Sequence, residues 1–400
     1  MSGRLYDRNF LIAFVAQTAF TISNSLLAHY SRWVEFLGGD VSDIGRVNAV
    51  SAIVGLLARP FLAPWIDRIG PRACWCAAGA VVAAAMLSNL TLVDVGWLLY
   101  ASRSISAVGI AVVFASGLTY IAQSTPPERR TEAIGALGAG GFVGLLIGPW
   151  LGDLILDRGR RTLADFHWYF AATACGVGLS MLLVAALRPC PKSLSPETSR
   201  RRPLEFLRSV RLYWPGPVVF VTVAFGVCMT VPFVFLAVFV DIMPGVRVWW
   251  FFVAYATTGL AVRLGLRGWP DQFGVGRVLV AGMLLFAAGM WSFRLTTADM
   301  PLLILLPGVA CGAAHGLTFH SMVSLVLAPF PESARGAGST LSLMGIDAGA
   351  FFGAQILAHV ADKFGFTLIF DAVAVCCVCS VGIFLLGGRR PIKINPSHLI

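Results

Sequence analysis

Ionisable side chains stand inside otherwise apolar stretches of this 400-residue chain, among them Arg103, His315, His320 and Asp347. A charge at the centre of a membrane helix costs about 2.5–3.5 kcal/mol on insertion scales, so each is a candidate for handling a proton or a polar solute. Asp347 lies about nine residues inside its run, some 14 Å from the nearer face at ~1.5 Å per residue. Gly345, Gly349 and Gly353 draw a close-packing stripe on the same helix, and Asp347 points away from it. A carboxyl there without a fixed counter-charge takes up a proton readily, as a proton carrier requires; the alternative is an Asp that only fixes packing. Gln355 follows on the same run. Near the N-terminus Gln17, Thr21 and Asn24 recur at i, i+4 and i+7, a polar stripe suited to lining an aqueous cavity. Gly308, Gly312, Gly316 and His320 share a second face, with His315 on another, and a lone histidine there serves packing as readily as titration.

The elements that must carry these groups are membrane helices. The chain is 57% hydrophobic and 12% charged, half the charge of a typical soluble domain (roughly 25%), and its mean hydropathy is +0.79. Twelve apolar runs, each long enough to cross a hydrocarbon core as a helix, are expected near 9–30, 45–66, 73–93, 97–122, 133–153, 167–187, 217–241, 247–267, 278–296, 302–327, 338–358 and 367–387. The first, behind "MSGRLYDRN", is longer than a signal-peptide core and reads as an uncleaved helix. Eight of nine cysteines fall inside these runs, without ligand spacing, and read as packing residues with no metal or cofactor.

Net charge +10 could suggest nucleic acid, but the distribution points to a membrane. With a cytoplasmic N-terminus, twenty-one of thirty Lys and Arg fall in or at cytoplasmic segments, eight on the other side, and Arg103 inside a helix. Both termini then face the cytoplasm of a multi-pass cell-membrane protein, the inner membrane if bacterial. The segment "PCPKSLSPETSRRRP" reads as a solvated basic linker against anionic lipid. Expected units are therefore an N-terminal six-helix bundle at 1–187, a linker at 188–216 and a C-terminal bundle with a short tail at 217–400.

A self-comparison at an offset of 204 residues lays "SAIVGLLARPFLAPWIDRIGPR" over "YATTGLAVRLGLRGWPDQFGVG", with eight of twenty-two positions identical. Arg59 meets Arg263, Asp67 meets Asp271 and Gly70 meets Gly274; Pro127-Glu128 falls on Pro331-Glu332. A duplicated six-helix unit keeps its orientation, giving two like bundles around a pseudo-twofold axis along the membrane normal, with a substrate path at their junction.

The loop after the second helix resembles the "GxLaDRxGrk" signature of the major facilitator superfamily: Asp67, Arg68, Gly70 and Arg72 match, while Ala63 and Pro71 depart. The resemblance implies an all-α integral membrane fold of twelve helices in which this loop latches the halves. By resemblance Asp67 is the latch, with Arg59, Arg68 and Arg72 as partners and Gly70 in the turn; Arg263, Asp271 and Gly274 form a weaker copy. In the fifth helix Gly135, Gly144, Gly148, Pro149 and Gly152 are similar to the motif of proton-coupled antiporters, whose closing Gly is Asp153 here. Leu99, Arg103, Gly109 and Ala111 match the fourth-helix pattern, and "GSTLSLMGIDAGAFFGAQI" resembles arabinose-efflux-like permeases. Many proton-coupled drug exporters carry an acid in the first helix; the apolar part has none here.

These readings imply an alternating-access secondary transporter of a small organic solute, with proton-coupled efflux first. The alternatives are an uptake permease or uniporter of a metabolite, or a sensor that lost transport. Enzyme chemistry is not expected, since H-E-x-x-H, G-x-S-x-G and a phosphate-binding loop are missing. Expected partners are the solute, protons and lipid, with no nucleic acid, and the expected state is a monomer. The mixed lining, with Phe225, Phe233 and Phe235, favours a neutral, amphiphilic or weakly anionic solute.

Overall fold

The computed structural model describes residues 7–126, 129–156, 161–189, 203–266, 268–331 and 334–387. Helices dominate, because apolar surroundings leave backbone groups no partner but one another. The first six membrane helices are α1 (Arg8–Phe36), α2 (Val41–Ile69), α3 (Pro71–Ser88), α4 (Trp97–Ser124), α5 (Arg130–Leu156) and α6 (Leu163–Ala185). A short helix, α7 (Pro203–Leu212), sits within the segment expected to be a plain connector. Then come α8 (Val218–Asp241), α9 (Val248–Gly265), α10 (Val275–Ser292), α11 (Pro301–Leu327), α12 (Arg335–Phe364) and α13 (Phe366–Gly387). Eleven of the twelve meet the length and hydropathy needed to span a bilayer; α9, with 18 residues, completes the second bundle. The paired Pro127-Glu128 and Glu332, and most of the basic linker, lie outside the described residues.

Over twelve crossings the start of α1 at Arg8 and the end of α13 at Gly387 lie on one side, named inner here. The two bundles repeat each other: α1 lies on α5 as α8 lies on α12, α2 on α4 as α9 on α11, and α3 contacts α4 and α6 as α10 contacts α11 and α13. The repeat is also exact in the turns. Gly70 (φ +100°) and Gly274 (φ +88°) both take the left-handed backbone that reverses the chain between the second and third helix of each bundle. A side chain there would be strained, which is why both copies keep Gly.

Small residues set the close contacts. On α5 the stripe against α1 is Gly140, Gly144, Gly148 and Gly152, where a methyl on Gly148 would stand 2.6 Å from Ser25 Cβ. Gly135, the first glycine of the antiporter-like motif, has open space around it and lies outside this stripe. Gly345, Gly349 and Gly353 lie on α8, and Gly308, Gly312 and Gly316 lie on α9. In each case dispersion between close backbones replaces the missing hydrophobic drive in lipid. Pro232 loosens α8 into a π-turn at Val231–Phe235, since it has no N–H to give.

Candidate transport pathway and its gates

The bundles meet along two lateral contacts, α2 with α12 and α5 with α9. Two sets of charged groups cross this seam. The outer set was not foreseen from sequence. Arg32, in the last turns of α1, donates from Nε (3.1 Å) and Nη2 (2.7 Å) to the Asp241 carboxylate at the outer end of α8. Its Nη1 donates to Asp153 of α5 at 3.0 Å. Arg161 donates to Asp241 at 2.7 Å, and the other oxygen of Asp153 accepts the Trp249 backbone N–H at 2.8 Å. That N–H lies in the first turn of α9, where the positive helix end favours a carboxylate.

His29 completes the cluster. Its Nδ1 accepts from Arg32 Nη1 at 2.8 Å, and its Nε2–H donates to the Pro149 carbonyl at 3.0 Å. Those two partners select the neutral tautomer, because a proton on Nδ1 would face the guanidinium. With His29 neutral, Arg32 and Arg161 balance Asp153 and Asp241, while Glu35 and Arg247 stand close enough to act on them and carry opposite charges. Side-chain exposure is 1% for Arg32 and 2% for Asp153, so the balance matters: a buried ion left without its partner costs several kcal/mol. The one sequence signal for this site was the departure at Asp153, where the family motif has Gly.

The second link corrects the reading of Asp347. Asp347 has a fixed counter-charge: Arg59 of α2 grips it with both Nε and Nη2, the Nη2 to Oδ1 distance being 2.9 Å. Asp347 does point away from the glycine stripe, but into the opposite bundle. Arg59, expected as a partner of Asp67, is bonded to Asp347 in this state. Arg72, also expected in the latch, donates to the Val184 and Ala185 carbonyls and caps α6. Asp67 and Arg68 are exposed at the inner end of α2, and Asp271 is exposed beside Gly274. Arg263, the repeat of Arg59, also crosses the seam, with its guanidinium over Gly138 of α5. The position equivalent to Asp347 is Val143, so this side has no carboxylate to receive it. The duplication thus supplies two arginines and one acid.

An aromatic cluster lies on the α5–α9 side of the seam, at the level that the repeat gives to Asp347 on the other side. His315 is ringed by Phe225 (5.2 Å between centroids), Phe319 (5.6 Å), Tyr255 (5.7 Å) and Phe142 (5.7 Å). Phe142 comes from the first bundle and the others from the second. Nδ1 of His315 is bonded to the Tyr255 hydroxyl. His320 is outside this cluster and exposed, its ring edge-on to Phe319.

The remaining expected pathway residues divide. Gln17 is buried inside the first bundle, its amide against Gly117 of α4 beside Trp75. Thr21 is buried under Gly144 and donates to the Gln17 carbonyl at 2.8 Å. Of that stripe only Asn24 stays half-buried. Arg103 sits 4.9 Å over the Tyr30 ring and donates to Asn48 at 3.4 Å, part of a polar group with Asn89 and Ser102 that ties α1, α2, α3 and α4 together. Gln355 is exposed beside Phe352 and Ile356, on an outward face of α12. A cavity of about 430 Å³ between α2, α3 and α4, lined by Trp65, Cys74, Ile105 and Val108, is apolar and away from the seam.

At the inner end the geometry differs. Among the described residues α4 and α11 do not pack on each other, whereas the outer parts of α1 and α8 do. The described state is closed outside. A family model for the Major Facilitator Superfamily matches residues 10–267. The chain belongs to the major facilitator superfamily. It is 25% identical to the tetracycline resistance protein, class H, of Pasteurella multocida over 352 residues, 82% of this chain and 78% of that protein. It is 27% identical to the human chromaffin granule amine transporter over 209 residues, 49% of this chain but only 38% of that protein. A crystal structure of the nucleoside transporter NupG superposes with a TM-score of 0.74 over 95% of this chain and 99% of that one, at 13% identity, a likeness of fold. The superfamily and the eleven spanning helices make this a multi-pass membrane protein.

Proposed function

We propose that the protein is a secondary transporter that exports a small organic solute from the cytoplasm in exchange for protons, as a monomer working by alternating access. The inner side is then the cytoplasm and both termini lie there, as the distribution of Lys and Arg supports. The observation that carries the reading is the pair of ionic links across one seam, at different depths, with the bundles joined outside and parted between α4 and α11. Two rigid bundles with breakable links at the outer end and deeper in the seam are what rocking requires. The likeness to a tetracycline resistance protein supports efflux.

Asp347 is the coupling group in this reading. Here Arg59 holds it as a carboxylate. When the bundles part at this level Arg59 withdraws, the carboxylate is left among apolar groups and takes up a proton, and the returning guanidinium displaces that proton inward. Solute recognition falls to the cluster around His315 with Asn24, whose aromatic walls suit a neutral, amphiphilic or weakly anionic molecule. Asp67 and Asp271 act at the inner turns as latches in the opposite state.

The test is transport by purified protein in liposomes under an imposed proton gradient, with solutes chosen by a ligand-stabilisation screen. Export that follows the gradient, and loses that dependence in Asp347→Asn, supports the reading. A gradient-independent flux, or unchanged coupling in the variant, overturns it. Accumulation in place of depletion in intact cells would show uptake instead.

A further inference from the structure

We propose that α7 is a membrane-surface helix that docks on anionic lipid of the inner leaflet. Its buried side is already accounted for: Phe206, Val210 and Tyr213 recur at i, i+4 and i+7, and Phe206 and Tyr213 pack with Phe330, Ala334 and Ala337 at the inner ends of α11 and α12. Tyr213 and Phe330 stand 5.9 Å apart. With a smaller contact to α2, this fixes the helix at the inner ends of α2, α11 and α12, and the side left over is unusual for a solvated helix. Leu207 is 61%, Leu212 62% and Trp214 50% exposed, three large apolar groups within eight residues.

Arg208 and Arg211 lie among them, exposed and without a carboxylate ion pair among the described residues; Glu205, one turn before Arg208, shares the exposed face and leaves it a net positive charge. An exposed surface that alternates leucine or tryptophan with arginine matches the acyl-headgroup boundary, where apolar stems insert and guanidinium groups reach phosphate. The tether sets the depth. Leu212 and Val218, the first residue of α8, are joined by six peptide steps, at most ~20 Å at about 3.3–3.6 Å each, so α7 cannot leave the membrane surface. Water would leave three large side chains unpartnered there, and a neutral surface would leave both guanidinium groups without phosphate partners of net negative charge. An anionic leaflet satisfies both.

Hydrogen exchange of the backbone over residues 203–213 tests this in the whole protein, reconstituted in phosphatidylcholine with or without phosphatidylglycerol. Juxtamembrane arginines each contribute about fivefold in binding to an anionic surface, so protection rises on the order of twenty-five-fold when phosphatidylglycerol is present. Arg208→Gln with Arg211→Gln removes that rise, and Leu207→Ser with Trp214→Ser lowers protection in both lipids. Arg200, Arg201 and Arg202 remain in every variant and add the same increment to each, so the drop from wild type to the double variant reads Arg208 and Arg211. The loop between α3 and α4, on the outer face, serves as reference. Equal exchange in the two lipids, or a rise undiminished by loss of both arginines, overturns the proposal. So does protection that depends on protein density and not on lipid, which would mean that a second copy covers this face.

Discussion

Replacing Arg32 with methionine keeps most of the side-chain volume and removes the charge from the outer cluster. Asp153, 2% exposed, then loses its guanidinium and keeps the Trp249 N–H, with His29 Nδ1 at 3.8 Å and Arg247 acting on it through space, and Asp241 keeps Arg161. Removing one partner of a buried pair costs ~3–5 kcal/mol. In the outward-open state water reaches these carboxylates, so the loss falls on the outer-closed state. Taking ~3 kcal/mol, the equilibrium moves by about 150-fold toward outward-open, enough to invert a population held closed at 99:1 to near parity or beyond. Spin labels at Val93→Cys and Met300→Cys, exposed on the outer loops of the two bundles, report this by electron double resonance in a background without native cysteines. A longer outer distance should appear in Arg32→Met, and the added changes Asp153→Asn and Asp241→Asn should restore much of the short one. An unchanged distribution in the single variant would refute the argument that this cluster holds the outer side shut. A distribution that stays long in the triple variant would refute its electrostatic basis.

Other outcomes follow from the same geometry. Arg59→Gln and Asp347→Asn should show a coupling of ~0.5–3 kcal/mol in a double-mutant cycle of thermal unfolding in detergent, while Arg263→Gln with Asp347→Asn should be additive. Gly148→Val should lower the midpoint through overpacking worth at least ~1–3 kcal/mol, because Ser25 and Leu26 already occupy the space, whereas Gly135→Ala should be neutral or slightly stabilising. Gly70→Ala and Gly274→Ala should each cost about 1–2 kcal/mol, since both sit at positive φ, and equal losses at the two turns would mark them as copies of one device.

The helices were legible in the sequence because lipid imposes one demand on all of them: about twenty apolar residues with every backbone group paired internally. The expected run at 97–122 is observed as Trp97–Ser124 and that at 367–387 as Phe366–Gly387. The duplication was legible because Arg59, Asp67 and Gly70 return 204 residues later, and the left-handed turns at Gly70 and Gly274 follow from it. The glycine stripes were visible as four-residue periodicity, though not which helix each would meet.

Partnership across the seam was decided by tertiary structure alone. Asp347 looked unpaired because Arg59 is 288 residues away in the chain and belongs to the other bundle. Arg32, Asp153 and Asp241 sat at the edges of their apolar runs, where a charge ordinarily meets water and headgroups, and only the approach of α1, α5, α8 and α9 at their outer ends makes them a buried cluster. Gln17 and Thr21 had the right period for a cavity lining, yet period specifies a face and not what that face turns toward. A local pattern records the chemistry a segment can bear; the register of one bundle on the other determines which opposite charges come within 3 Å, and that register is a property of the whole surface.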